Sequence, residues 1–133
     1  MAPEEYPLTD LPTPEPEYAP GTVVGLQLAA LRDNDTPRTD AGVLTAYNFA
    51  SPANRRATGP RDRFVRMVHA ERYRPLIDHD EAVRGPVERD ANTATQTVTV
   101  TRDGRTVTYE FGVSLQATGP FPDCWQTDRV VVV

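Results

Sequence analysis

The sequence predicts an α+β domain in which helices come first and an antiparallel sheet follows. Apolar residues recur at helical spacing in the first half, whereas strict two-residue alternation begins near residue 95. Asp103-Gly104 lies between two alternating runs, 95–102 and 105–116. An Asp-Gly loop in this position is the strongest short-range signal of a β-hairpin, because a type I′ turn needs positive φ at both central residues. Helices followed by antiparallel strands give the α+β class.

The register of this hairpin can be read from its side chains. When Arg102 is placed opposite Arg105, Val100 faces Val107, and both strands agree on one mainly apolar and one polar face. A slip of one residue would move every side chain to the other face, so the pairing is strongly specified. The upstream helices are expected to cover the first face, which carries Gln96, Val98, Val100, Val107, Tyr109, Phe111, Val113 and Leu115.

Residues 1–20 differ in composition from the rest of the chain. They contain six prolines and five acidic residues with no arginine, a net charge of −5, while the remainder is neutral. Such a segment cannot bury enough surface to offset its ordering entropy, so it is predicted to be an extended, disordered tail. Residues 21–133 are predicted to form a single domain. The alternative for the tail is a strip that docks on a basic surface.

Three helices are predicted before the sheet. The first runs from residue 21 or 22 to about 33, and its apolar stripe includes Gln27, which could direct a polar group into a cavity. The second runs from 41 to about 50, with Asp40 as its N-cap. The segment 53–59 is predicted to be irregular, and Pro60 opens a third helix that ends near residue 70.

Short strands are predicted at 73–77 and 83–88, before the long hairpin. A closing strand is predicted at 124–133. Its last four residues are valines and therefore apolar on both faces, which favours a position inside the sheet or covered on both sides.

Seven of the fourteen arginines lie between residues 55 and 74, opposed by only two acidic residues. This density predicts a basic interaction patch on an otherwise neutral domain. Nucleic acid is a poor partner for it, since the domain is neutral and its tail is acidic. We place Arg61 at the mouth of a candidate cavity. The interaction patch comprises Arg55, Arg56, Arg63, Arg66, Arg72 and Arg74.

The titratable residues offer no recognisable catalytic or metal site. One cysteine and two histidines exclude a disulfide framework and a cysteine-rich metal centre. His69 and His79 lack a convincing third ligand, Asp78-His79-Asp80 is interpreted as a solvated turn, and Cys124 as a buried structural thiol. We therefore assign no catalytic residue, metal or cofactor. No run is long enough to span a membrane, and a reduced Cys124 is consistent with a cytoplasmic protein.

Several stretches resemble the nuclear-transport-factor-2-like superfamily, whose cone-shaped fold is shared with polyketide cyclases and ketosteroid isomerases. Within it, the chain resembles an uncharacterised family found in prokaryotes and in the C-terminal part of a plant F-box protein. The resemblance covers about residues 20–132. The matching stretches are V-V-x-x-Q-L-x-A-L-R-x-N-D (23–35), A-Y-N-F-A-S-P-A-N-R (46–55), G-P-x-x-R-F-x-x-M-V (59–68), Y-E-F-G-V-S-L-Q (109–116) and C-W-Q-T-D (124–128).

The resemblance implies three helices packed on the concave face of a curved antiparallel sheet, a cystatin-like cone with a cavity between the layers. Enzymes of the superfamily place an acid or a histidine there, and the hairpin strands here supply neither on that face. We therefore favour a non-catalytic domain that binds a small apolar or anionic ligand. The candidate pocket residues are Gln27, Tyr47, Tyr109, Trp125 and Arg61.

Two alternatives remain open at this stage. The first is an interaction module that acts through the arginine patch, or forms a homodimer through the exposed face of the sheet. The second, less favoured because the acid and base inventory does not suit it, is an enzyme of the isomerase or cyclase type.

Overall fold

The computed structural model describes residues 5–133, which form an α+β domain and so confirm the predicted class. Four helices precede a four-stranded antiparallel sheet of order β1-β2-β3-β4. A short 3-10 turn, Arg74–Leu76, links the two parts. The elements are α1 (Pro20–Arg32), α2 (Ala41–Phe49), α3 (Pro52–Thr58), α4 (Arg61–His69), β1 (Glu81–Asp90), β2 (Thr93–Arg102), β3 (Arg105–Leu115) and β4 (Trp125–Val132).

The long hairpin has the predicted register. Arg102 pairs with Arg105 and Val100 with Val107, and the pairing continues without a shift to Thr93 opposite Ser114. Asp103 and Gly104 have φ of 50° and 79°, as a type I′ turn requires. The helices cover the face that the alternation predicted, and β-bulges in the β1-β2 and β3-β4 pairs bend the sheet over them.

Replacing Gly104 with valine should destabilise the domain by about 1–2 kcal/mol, because a β-branched residue resists a left-handed backbone. A Cβ at this position would contact nothing within 4 Å, so the loss of stability would come from the backbone conformation and not from a steric clash. Gly104→Asn is the matched control, since asparagine tolerates positive φ and should lose less. Chemical denaturation measures both variants. Equal stability of Gly104→Val and the parent protein would contradict the role of this turn.

The helices α1, α2 and α4 lie where the sequence predicts them, whereas the prediction of an irregular segment at 53–59 is wrong. Residues Pro52–Thr58 form α3, which begins with proline at its first position. The Ser51 hydroxyl caps it by accepting a hydrogen bond from the Asn54 N–H at 3.2 Å. The sequence therefore contains a Ser-Pro helix start that the prediction of an irregular segment overlooked.

Asp40 occupies the predicted N-cap position of α2, and its backbone carbonyl accepts from the Leu44 N–H at 2.9 Å. Its φ is 59° and its side chain makes no capping bond, contrary to what an aspartate at this position predicts. Asn34 supplies the cap instead, because its Oδ1 accepts from the Val43 N–H at 2.9 Å and its backbone carbonyl accepts from the Gly42 N–H at 2.8 Å. Burial alone would raise the pKa of Asp40, but hydrogen bonds from Asn34 and His69 hold it below its usual value.

Two strand predictions need correction. Residues 73–77 contain the 3-10 turn instead of a strand, and Pro75 has no N–H with which to join a ladder. The closing strand β4 is an edge strand with an exposed end, contrary to the predicted position inside the sheet or covered on both sides. Val131, Val132 and Val133 are 39%, 45% and 72% exposed. Runs of valine are typical of buried strands, but here only β3 lies beside this stretch.

The N-terminal segment, residues 5–19, packs against the helices, which differs from the extended tail that its composition predicts. Leu8 and Leu11 are each 6% exposed and belong to the core. Asn48 binds the backbone of Leu8 in both directions, with its Oδ1 accepting from the Leu8 N–H and its Nδ2 donating to the Leu8 carbonyl, each at 2.9 Å. The segment can therefore pack with few apolar side chains of its own, because the bonds from Asn48 are made to its backbone groups. Residues 1–4 of the predicted tail lie outside the described residues.

The core lies between the helices and the concave face of the sheet. All nine residues of α2 are buried. Between residues 5 and 133, no helix has the length and apolar character required to cross a bilayer. The largest fully buried side chains include Tyr109, Phe49, Phe111 and Gln126.

Candidate ligand-binding cavity

A cavity of about 270 Å³ lies between the helices and the β3-β4 side of the sheet. Its lining comes from α1, α2, α3, α4, the 3-10 turn, β3 and β4, so that it occupies the junction of the two layers. The lining residues are Gln27, Leu31, Ala46, Asn54, Ala57, Thr58, Phe64, Met67, Val68, Tyr73, Leu76, Phe111, Thr127, Asp128, Arg129, Val130 and Val131.

The cavity has a buried floor and an accessible rim. The floor side chains of Leu31, Phe64 and Phe111 are 3%, 6% and 1% exposed. The rim includes Ala57, which is exposed, and Met67, which is half-buried. A small molecule could therefore enter from the rim and remove apolar surface from water on the floor, which is the main source of binding free energy in such sites.

The helical layer is attached to the edge of β4 at two separate points, and the cavity is the space between them. The Thr127 carbonyl accepts from the Ser51 N–H at 2.8 Å and from Asn54 Nδ2 at 3.0 Å, while the Val130 carbonyl accepts from the Tyr73 hydroxyl at 2.9 Å. These bonds attach α3 and the segment after α4 to β4 at two points. They satisfy edge carbonyls that would otherwise be open to strand pairing. The cavity lies along β4 between the two attachments.

Two polar groups on the floor are suited to a ligand. Gln27, 2% exposed, uses its Nε2 to donate to Thr127 Oγ1 at 2.7 Å and to the Val23 carbonyl at 3.2 Å. Its amide hydrogens are thereby used, while its Oε1 receives no hydrogen bond from residues 5–133. The Thr127 hydroxyl accepts from Gln27 and keeps its own hydrogen for another acceptor. The floor thus presents an acceptor and a donor side by side.

Only Gln27 among the predicted pocket residues lines this cavity. Tyr47 lies behind it, with its ring 5.3 Å from that of Phe64. Trp125 lies at the other end of β4, where the Arg89 guanidinium is 4.9 Å from its ring. Tyr109 is fully buried beneath the segment after α4, and its hydroxyl donates to the Arg72 carbonyl at 2.7 Å. Burial raises the pKa of Tyr109 to about 12, an effect that nearby Arg105 reduces and Tyr73 increases.

The arginine at the cavity rim is Arg129 and not Arg61. Arg61 faces the N-terminal segment, where its Nη1 donates to the Glu5 carbonyl at 3.3 Å. Arg129 is paired with Glu110 at 2.9 Å, and Asp128 lies beside it on the rim. The rim therefore has no excess of positive charge. This arrangement fits a neutral, apolar ligand better than an anionic one.

The arginines of the predicted interaction patch lie in different environments. The Arg55 guanidinium lies 3.5 Å from the centre of the Tyr6 ring, so the N-terminal segment covers it. Arg56, Arg63 and Arg66 are exposed on α3 and α4. Arg72 and Arg74, also exposed, follow α4 and line grooves beside the hairpin tip. The six arginines are therefore distributed over α3, α4 and the segment after α4.

The two histidines lie in different environments. His69 Nε2 is 2.7 Å from Asp40 Oδ1 at the end of α4. His79 is 4% exposed and donates from Nδ1 to the Leu76 carbonyl at 2.8 Å, so the interpretation of 78–80 as a solvated turn is wrong at its central residue. Among residues 5–133, no three potential ligands of these types are grouped to hold a metal. Cys124 is buried, as expected, and burial raises the pKa of its thiol.

The sequence indicated some of the cavity and missed the rest. Phe64 and Val68 follow the apolar spacing of α4, and both line the floor. Asn54 and Thr127 were missed as site residues. Their position depends on a contact between two segments separated by 73 residues, which periodicity cannot reveal.

Comparison with known proteins identifies one relationship. A family described as a domain of unknown function, DUF4864, matches residues 19–132. The match excludes most of the N-terminal segment and includes every residue that lines the cavity. No curated protein and no solved structure matches the chain.

Proposed function

The chain belongs to the DUF4864 family, and we propose that it is a non-catalytic domain that binds a small, mainly apolar ligand. The observation that supports this most strongly is the cavity of about 270 Å³ with a buried apolar floor. This volume lies just below the roughly 300–1,000 Å³ typical of small-molecule sites. The ligand is therefore expected to be smaller than most drug-sized compounds.

The polar groups on the floor define the ligand more closely. Gln27 Oε1 accepts a hydrogen bond and the Thr127 hydroxyl donates one, so the ligand's buried end should carry a hydroxyl or a primary amide. A carboxylate would bring a charge into an apolar floor that has no cation to compensate it. The apolar body would then lie against Phe64, Phe111 and Val68.

The non-catalytic assignment follows from the chemistry of the lining. Asp128 is the one carboxylate among the described lining residues, and it lies half-buried on the rim. Proton-transfer enzymes commonly use one group as the acid and another as the base. Such a pair would need a second titratable side chain on the floor, in addition to Asp128. The floor offers an amide and a hydroxyl, which suit recognition.

Binding of cyclohexanol tests the proposal, because this compound combines an apolar body with one hydroxyl. For seven non-hydrogen atoms at about 0.7 kcal/mol each, we expect a Kd of roughly 0.1–1 mM. Ala57→Trp should fill the rim and weaken binding at least about tenfold, measured by titration of methyl NMR signals. Ala53→Trp is the matched control, since Ala53 is exposed on the same helix and does not line the cavity.

The hydroxyl specificity can be measured separately. Thr127→Val keeps the shape of the side chain and removes its donor, so cyclohexanol should bind about 2–10 times more weakly while benzene is unaffected. Equal binding by the parent protein, Ala57→Trp and Ala53→Trp would contradict the cavity as the site. Equal losses for cyclohexanol and benzene in Thr127→Val would contradict the assignment of the polar end.

We also propose that the chain shares the nuclear-transport-factor-2-like cone with the superfamily it resembles. Helices packed on one face of a bent antiparallel sheet, with a cavity between the layers, are consistent with this relationship. Prokaryotic origin and a cytoplasmic location remain predictions from sequence.

Association between copies is a second candidate function, favoured by the outer face of the sheet. This face carries threonines from β2 and β3. On one side of them lies Val83 of β1, which is 60% exposed, and on the other lies Val131 of β4, which pairs with Glu110 of β3. The valine and threonine methyl groups of this outer face could bury against a second copy. Light scattering with Thr108→Arg, placed at its centre, would distinguish a dimer from a monomer.

A further inference from the structure

A second groove, open to solvent and of about 630 Å³, lies between the tip of the β2-β3 hairpin and the 3-10 turn. We call it the hairpin-tip groove. It is separate from the ligand cavity, with which it shares no lining residue. A neighbouring groove, which shares Glu71 and Arg105 with it, adds Arg72. The hairpin-tip groove is lined by Glu71, Arg74, Pro75, Arg102, Asp103 and Arg105.

Positive charge exceeds negative charge around this groove. Four arginines, at positions 72, 74, 102 and 105, face two acidic residues, Glu71 and Asp103. Arg102 Nη1 donates to the Arg74 carbonyl at 3.0 Å, and Arg102 Nε lies 3.8 Å from an exposed Asp103 carboxylate. The guanidinium groups of Arg72, Arg74 and Arg105 have no hydrogen-bond or ion-pair partner within residues 5–133. Three donors of this type are therefore available to a ligand.

The backbone that carries these arginines is held in place. The Tyr109 hydroxyl donates to the Arg72 carbonyl at 2.7 Å, which attaches the segment after α4 to β3. Asp80 accepts from the Asp103 N–H at 2.9 Å, which fixes the turn of the hairpin. Since the supports come from several elements, the positions of the four arginines do not depend on a single loop.

The hairpin also places like charges together. Arg102 and Arg105 are directly opposite each other at the last pair of the β2-β3 ladder. Like charges in this position repel and destabilise a strand pair. A bound anion would offset this repulsion, so the protein should become more stable when the groove is occupied.

We propose that the hairpin-tip groove is a binding site for a phosphate-bearing anion. Guanidinium groups bind phosphate oxygens through pairs of parallel hydrogen bonds, and several arginines along one groove match a group with more than one negative charge. A single carboxylate would use only one of the available guanidinium groups. This inference is independent of the ligand proposed for the cavity.

Inorganic pyrophosphate is the probe, titrated into the full chain by calorimetry at constant ionic strength set with sodium chloride. The variant Arg74→Gln/Arg105→Gln should bind pyrophosphate at least about tenfold more weakly, because it removes two of the free guanidinium groups. The control Arg56→Gln/Arg63→Gln removes the same charge from exposed positions on α3 and α4 and should bind like the parent protein. A general effect of net charge would weaken both variants equally.

Thermal unfolding supplies a second readout that does not depend on calorimetric heat. Pyrophosphate should raise the Tm of the parent protein and of the control variant, and leave that of Arg74→Gln/Arg105→Gln unchanged. Without pyrophosphate the groove variant should be at least as stable as the parent, since it removes a repulsion. Absence of binding to the parent protein, or equal binding by both double variants, would overturn the proposal.

The same chemistry occurs in soluble phosphorylated compounds and in phospholipid headgroups. Sedimentation with vesicles of phosphatidylcholine containing about 5% phosphatidylinositol bisphosphate distinguishes the two sources. Sedimentation that requires Arg74 and Arg105 supports a lipid headgroup as the ligand. Pyrophosphate binding without sedimentation supports a soluble one.

Discussion

Replacing Asn48 with alanine should lower the free energy of unfolding by about 3 kcal/mol, because a buried backbone group left without a partner costs about 1–3 kcal/mol. Asn48 is fully buried and binds both backbone groups of Leu8, and it also donates to the Pro12 carbonyl at 3.0 Å. Alanine would leave the Leu8 N–H without a partner inside the core, and the Leu8 carbonyl would keep only its bond from the Leu11 N–H at 3.2 Å. Chemical denaturation followed by circular dichroism measures the loss.

The same substitution should release the N-terminal segment before the domain unfolds. Limited proteolysis would then cut the Asn48→Ala variant within residues 5–14 under conditions that leave the parent protein intact. Asn92→Ala serves as the control, since Asn92 is exposed and contributes its backbone carbonyl, not its side chain, to Leu115. A loss below about 0.5 kcal/mol in Asn48→Ala, the size expected at a surface position, would contradict the attachment of this segment.

Replacing Gly42 with alanine should destabilise the domain by about 2 kcal/mol or more, since overpacking against a rigid neighbour costs about 1–3 kcal/mol. A Cβ at Gly42 would lie 2.2 Å from the Ala30 carbonyl oxygen of α1 and 2.8 Å from Asn34 Oδ1. Both neighbours are fixed, so α1 and α2 would have to separate. Separation would also weaken the cap that Asn34 provides to α2.

Gly25→Ala is the matched control for this effect. Its Cβ would meet Arg84 Nη1 at 2.5 Å, but that atom is the end of a flexible side chain and can move. Alanine is also favoured over glycine within a helix by about 1 kcal/mol. We therefore expect Gly25→Ala to be neutral or stabilising. Similar losses in the two variants, measured by chemical denaturation, would contradict the close approach of α1 and α2.

The sequence predicts the elements whose signals are local. The alternation around Asp103-Gly104 establishes β2 and β3 and their register, because side-chain alternation and turn chemistry both act over a few residues. The starts of α1 and α4 follow from Pro20 and Pro60 for the same reason. In contrast, Asn34, six residues before Asp40, supplies the side-chain cap of α2. No local pattern distinguishes Asn34 from Asp40 as the capping residue.

The position of β4 shows the limit of composition as a guide. Four successive valines predicted a strand inside the sheet or covered on both sides, but strand order depends on which segments pair over long separations. The bonds from Ser51, Asn54 and Tyr73 to β4 cover its edge instead of another strand.

The N-terminal segment shows the same limit. Its acidic and proline-rich composition predicts disorder, yet Leu8 and Leu11 pack because Asn48 and the Tyr6 ring make specific contacts.

The candidate site could be predicted only in part, because it too depends on contacts between segments that are distant in sequence. Gln27 was identified as a polar residue in an apolar helical stripe, a signal that is local to α1. Tyr47, Tyr109 and Trp125 are buried as aromatic residues of a core usually are, but burial does not determine which of them borders an empty volume. The cavity arises from the distance between α3, α4 and β4, which the long-range hydrogen bonds to β4 set.

A crystal of the protein soaked in bromobenzene tests the central claim most directly, because the anomalous signal of bromine locates the ligand without prior assumptions. We predict a single strong peak inside the cavity, in contact with Phe64, Phe111 and Val68, and no such peak in crystals of Ala57→Trp. Bromine peaks confined to the protein surface, with the cavity closed by its own side chains, would contradict the claim that this domain is built to hold a small apolar ligand.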